Sequence, residues 1–199
     1  MRLFELFDNP LSYKLMQTQT NAGAGEKDYT YGFRVEDFWY KVYISFYPMM
    51  HLIDDEDVHG KSLEDKLPPE FIKRAEMYQL IMSIDFGQFD YGEKKRRYPG
   101  IGGTSRDPLP VGVGDERSGR EGTGNELQVF ATVAAIAQEM YNEHKQYIGA
   151  IEYGAKEDDP NRKRLYDTMM RKFGISGTRV EFDAPTGVKD IQNRVVIVL

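Results

Sequence analysis

No cysteine occurs among the 199 residues. That absence excludes a disulfide framework, cysteine-ligated zinc, iron–sulfur clusters and thiol catalysis, so a nucleophile must come from oxygen or nitrogen chemistry. Basic residues are in deficit, with 26 Lys and Arg against 32 Asp and Glu. The resulting net charge of −6 and pI near 5.2 argue against a general nucleic-acid binder, which needs a basic face to displace counterions from phosphates. Long apolar runs are also missing. The opening Met1-Arg2-Leu3-Phe4-Glu5-Leu6-Phe7-Asp8 starts in the manner of a signal peptide, but Glu5 and Asp8 interrupt it and no apolar stretch follows. A cytoplasmic protein without a membrane segment is the expectation. Neither heptads nor a fixed repeat period is present.

What the chain does have is core-forming material. Its residues are 40% hydrophobic and 13% aromatic, enough for one substantial core, and a single domain over 1–199 is expected. Tyr29, Tyr31, Phe33 and Val35 alternate, as do Phe38, Tyr40, Val42, Ile44 and Phe46, which predicts a hairpin turning at Glu36-Asp37. The loop 21–25 separates it from an N-terminal segment expected to hold one helical turn. Pro68-Pro69 opens a helix reaching about Tyr78, and Leu80, Met82, Ile84 and Phe86 mark a strand. Glycine, proline and charge dominate from Tyr91 to Gly124, which reads as a long functional loop or a disordered insertion. Val129, Val133, Ile136 and Met140 form a helical stripe. Tyr147 to Ala155 reads as a strand buried on both sides. Asp159 and Pro160 then open a helix with Leu165, Tyr166, Met169, Met170 and Phe173 inward, ended by Gly174. Strands near 178–182 and 195–199 close the chain. This order predicts an α+β fold: a mixed, largely antiparallel central sheet with helices on both faces.

Chemistry concentrates where the glycine-rich turn meets the stripe helix, in Arg117-Ser118-Gly119-Arg120-Glu121-Gly122-Thr123-Gly124-Asn125. A helix start leaves backbone N–H groups unpaired and carries partial positive charge, which suits an anion, and glycines allow close approach. The same residues also fit a plain turn with a helix cap.

With this turn, the stripe helix, the buried strand and the Tyr166 helix in that order, residues 110–199 resemble the GNAT superfamily of acyl-CoA-dependent N-acetyltransferases. In that family a Gln or Arg followed by x-x-G-x-G/A holds the pyrophosphate of acetyl-CoA. Gly122 and Gly124 match the two glycines, Thr123 lies between them and Asn125 follows. Gly119 stands where Gln or Arg is usual, with Arg120 and Arg117 on either side. A Leu-Tyr pair in the next helix matches Leu165-Tyr166, although Asp159 replaces the usual asparagine and the usual Gly-Phe is absent.

The resemblance implies that acetyl-CoA is a co-substrate, that Arg120, Gly122, Thr123, Gly124 and Asn125 bind it, and that Tyr166 protonates the departing thiolate. A phenol is able to act as such an acid. The helical spacing of Tyr166 equally suits an aromatic that packs its helix onto the sheet. Glu152, on the preceding strand, is the candidate base for an amine acceptor, unless that strand turns it to solvent. The Gly-Thr-Gly-Asn helix start and the Arg-x-x-Leu-Tyr helix are also similar to bacteriophage proteins. That points alternatively to a noncatalytic scaffold in a phage assembly, with protein partners anchored by the 13 tyrosines and 11 phenylalanines.

Other motifs carry less. Gly114-x-x-x-x-Gly119 lacks the Lys and Ser/Thr of a phosphate-binding loop. Asp55-x-Asp57-x-His59-Gly60 begins like a calcium loop but has Lys66 where the bidentate glutamate belongs, and no metal is expected. Lys94-Lys95-Arg96-Arg97 between Tyr91 and Tyr98 reads as a solvated loop or a contact for the 3′-phosphate of CoA. His144 complements a helix dipole.

Overall fold

The computed structural model describes residues 9–36, 38–54, 63–89, 126–155, 160–183 and 193–199. Among these residues seven strands form one open sheet: β1 (Tyr13–Asn21), β2 (Glu26–Val35), β3 (Phe38–Pro48), β4 (Leu80–Phe89), β5 (Ile148–Ala155), β6 (Thr178–Asp183) and β7 (Asn193–Val198), in the order β1-β2-β3-β4-β5-β7-β6. All neighbours pair antiparallel except β4 and β5, which run parallel. The helices are α1 (Met50–Ile53), α2 (Pro69–Glu76), α3 (Glu126–His144) and α4 (Pro160–Lys172). The architecture is α+β with a mostly antiparallel sheet. No described helix is long and apolar enough to cross a membrane.

Alternation along the strands sorts side chains into two layers. Phe33, Val42, Ile44, Met82, Ile84, Ile151 and Tyr153 pack on one face beneath Val133, Ile136 and Met140 of α3 and Tyr166 and Met169 of α4. Ile81, Ala150, Val196 and Val198 point the other way and pack with Met49, Leu52, Phe71 and Ala75 of the α1–α2 region. Burying each such large apolar chain stabilises the fold by about 1.5–3 kcal/mol. Polar contacts fix where α3 sits: the Tyr13 hydroxyl donates to Glu139 at 2.6 Å, and the Leu11 N–H donates to Thr132 Oγ1 at 2.9 Å. His144, at the end of α3, packs its ring 4.6 Å from that of Phe46, with its Nε2 3.3 Å from the Tyr29 hydroxyl.

The N-terminal segment differs from expectation. Residues 13–21 form strand β1, which the sequence did not predict, and 21–25 is the loop that joins it to β2; of the segment expected to hold a helical turn, residues 1–8 lie outside the described residues. As an edge strand with nearly every residue exposed, β1 buries no face, so selection for alternating apolar residues is absent and the sequence shows no strand period. The interval 91–124, including Val113, lies outside the described residues, as does Asp37 of the expected turn; Glu36 takes a left-handed φ of 52°.

Candidate functional site

The parallel pair β4–β5 does not stay paired along its whole length. Its register runs from Leu80 opposite Ile148 to Ile84 opposite Tyr153. Beyond that point β4 continues against β3 as far as Phe89, and β5 continues against β7 as far as Ala155. The two strands fork at their carboxyl ends, where sheets with parallel strands commonly receive ligands. Just past the fork, the Phe86 N–H donates to Asp85 Oδ1 at 2.8 Å.

Tyr166 sits at the root of this fork. Pro160 supplies the first residue of α4, and Tyr166, Met169 and Met170 follow at i, i+3 and i+4, so they share its inner stripe. Tyr166 is only 1% exposed. Its ring stacks on Tyr153 with centroids 4.5 Å apart and planes 19° apart, and lies 6.3 Å from Phe86. Its hydroxyl is 3.5 Å from the carbonyl oxygen of Ile84, the last β4 residue paired with β5. Phe86 also meets Phe130, one turn into α3, edge-on at 5.9 Å. The fork, the first turns of α3 and Tyr166 are thereby gathered in one place.

Tyr153 is held from outside. Its hydroxyl donates to Asp167 Oδ1 at 2.8 Å, and Arg179 of β6 donates to the same oxygen at 2.5 Å while its Nε reaches Glu181 at 2.6 Å. Burial first, and then the bond to Asp167, drive the Tyr153 phenol far above the ordinary range.

Glu152 follows strand alternation onto the opposite face from Tyr153 and Tyr166. It is buried, not turned to solvent. Tyr47 of β3 donates to its Oε2, Arg194 of β7 donates to its Oε1, and Arg194 Nη2 lies 3.4 Å from the Tyr47 hydroxyl. Burial, followed by the Glu152 charge, pushes the Tyr47 hydroxyl well above the phenol range against the opposing pull of Arg194. Among the described residues no buried side-chain nitrogen or oxygen lacks a partner.

Arg120, Gly122, Thr123, Gly124 and Asn125 lie outside the described residues, which resume at Glu126 as α3 begins. No group of three or more His, Asp or Glu side chains among the described residues forms a metal cluster. No protein-family model, curated protein or solved structure matches the chain.

Sequence reasoning singled out Tyr166 and Glu152, and the structure sets them on opposite faces of neighbouring β5. It missed their partners. Tyr47 and Arg194 are separated from Glu152 by 105 and 42 residues, so no local spacing announces them. Asp167, adjacent to Tyr166, carries no sequence signal, because its partners Tyr153 and Arg179 lie on two separate strands.

Proposed function

We propose that this chain is an acyl-CoA-dependent N-acyltransferase that moves an acyl group to an amine. The observation that carries this reading is the fork between parallel β4 and β5, with the Tyr166 hydroxyl at the carbonyl where the pairing ends. Past Ile84 and Tyr153 the two strands no longer pair with each other, and a gap between strands suits an extended, amide-containing ligand arm such as that of CoA. Phe86 packs against both Phe130 and Tyr166 on one face beside it.

Acyl-CoA, when bound, supplies the activated acyl group and the thiol that leaves. Arg120, Gly122, Thr123, Gly124 and Asn125 would hold its pyrophosphate, since backbone N–H groups preceding a helix suit an anion. Tyr166 gives its proton to the sulfur as the carbon–sulfur bond breaks and the nitrogen–carbon bond forms, and the proton released by the amine restores the balance. Glu152 marks the acceptor side. It is the candidate base for the amine proton, with Tyr47 and Arg194 holding its two oxygens. Titration calorimetry with acetyl-CoA tests the reading: saturable binding that weakens with Tyr166→Phe or Arg120→Ala supports it, and absence of heat at millimolar ligand removes it.

A second reading, a noncatalytic scaffold in a phage assembly, is favoured by the near-complete burial of Tyr166 and the closed Tyr47–Glu152–Arg194 cluster. Fully satisfied polar groups fix a fold as readily as they serve a reaction. On this reading acetyl-CoA gives no heat, and the purified protein carries protein partners instead of CoA.

A further inference from the structure

We infer that the Tyr153–Asp167–Arg179 clasp is a positioning device for Tyr166: two donors from the sheet converge on one oxygen of the residue beside Tyr166, and the Tyr153 ring so held fixes the plane in which Tyr166 offers its hydroxyl to the fork. This role rests on the acyl-transfer reading of Tyr166.

The chemistry explains why a clasp is needed. A buried phenol that delivers a proton must keep its ring fixed while the O–H bond rotates from the Ile84 carbonyl to the leaving atom. Two rings flank that of Tyr166, Tyr153 stacked at 4.5 Å and Phe86 tilted at 6.3 Å, and its own helix α4 carries it. Of these two rings only Tyr153 carries a hydroxyl, and that hydroxyl ties the stack to Asp167 at 2.8 Å.

The Tyr153 hydroxyl is not required for packing. A phenylalanine fills the same buried volume, and Asp167 and Arg179, each 31% exposed, could satisfy each other or water without it. The bond instead links β5 to α4 beside Tyr166. Arg179 extends the link to β6, where Glu181 aligns its guanidinium. Asp167 therefore couples two strands to one helix through a single atom.

The test places 3-fluorotyrosine at position 166 alone and follows it by fluorine NMR in the full chain without ligand. A clamped ring flips slowly and gives two resonances. Tyr153→Phe and Asp167→Ala are expected to raise the flip rate about tenfold or more and merge them. Asp167→Asn keeps the acceptor oxygen and is expected to retain two resonances. Unchanged spectra in both Tyr153→Phe and Asp167→Ala would overturn the proposal; should Asp167→Ala fail to fold, Tyr153→Phe decides. Acetyl-CoA is then added to the labelled parent. A shift of the Tyr166 resonance supports the acyl-transfer reading, and no shift removes that reading while the flip rates still report whether the clasp holds the ring.

Discussion

The hydroxyl of Tyr47 on β3 donates to the carboxylate of Glu152 on β5, across the intervening strand β4. Arg194 then closes the cluster from β7. One buried carboxylate thus links strands on both sides of the parallel pair, on the face opposite Tyr166.

Removing the cation alone leaves that carboxylate buried beside a phenol. Arg194→Met is expected to lower unfolding free energy by about 3 kcal/mol, read from urea denaturation, since breaking one half of a buried pair is far costlier than replacing both. The double variant Arg194→Met with Glu152→Leu should recover most of the loss. A double variant less stable than the single one would show that Glu152 has other obligations.

Gly177 and Gly32 both lack room for a side chain, for different reasons. A Cβ at Gly177 would stand 1.8 Å from the Val198 carbonyl oxygen, which is backbone, whereas at Gly32 it meets the Sδ of Met16 at 2.3 Å. Met16 is 41% exposed and flexible. Gly177→Ala should therefore cost about 2 kcal/mol or more and Gly32→Ala under about 1 kcal/mol, compared by thermal unfolding. Equal costs would mean that the β6–β7 end yields as easily as an edge-strand methionine.

Tyr78 ends α2 where glycine is usual. Its N–H bonds to the Ala75 carbonyl, that of Gln79 to the Arg74 carbonyl, and its φ is 57°. The side chain is 89% exposed, so little packing offsets the left-handed strain. Tyr78→Gly is expected to stabilise the protein by about 1 kcal/mol, seen as a higher melting temperature. A lower one would reveal a contact made by the exposed ring.

Alkaline pH should destabilise the chain in a defined window. Burial, with Glu139 next, pushes Tyr13 and Tyr31 up to about 12, and burial with Asp85 does the same for Tyr43. Unfolded phenols ionise near 10.0, so the unfolded state loses protons first. The stability these groups provide is complete below that value and is lost as pH rises towards 12. Denaturation free energies measured across this interval should fall steadily, with late-titrating phenols visible by ultraviolet absorbance. A flat profile would show that the three hydroxyls are no harder to ionise than in the unfolded chain.

Much of the fold was legible because burial leaves a period in the residues. The hairpin 29–46, the strand at Leu80, the stripe of α3, the doubly buried β5 and the Pro160 start of α4 all announce themselves by spacing or capping. Strand β1 does not, since an exposed edge places no demand on alternate residues. The helix register likewise marks Tyr166 as inward-facing, yet gives no sign that Tyr153 lies flat against it.

What the sequence determined by itself is local: which segments are helical or extended, which of their faces are apolar, and that cysteine chemistry is closed to this chain. The tertiary structure alone decided that β4 and β5 run parallel and part after Ile84 and Tyr153, and that Tyr47 and Arg194 enclose Glu152. The physical reason is range. Propensity and amphipathic period act over a few residues, whereas strand order and buried ion pairs join groups many tens of residues apart, whose proximity exists only once the sheet has assembled.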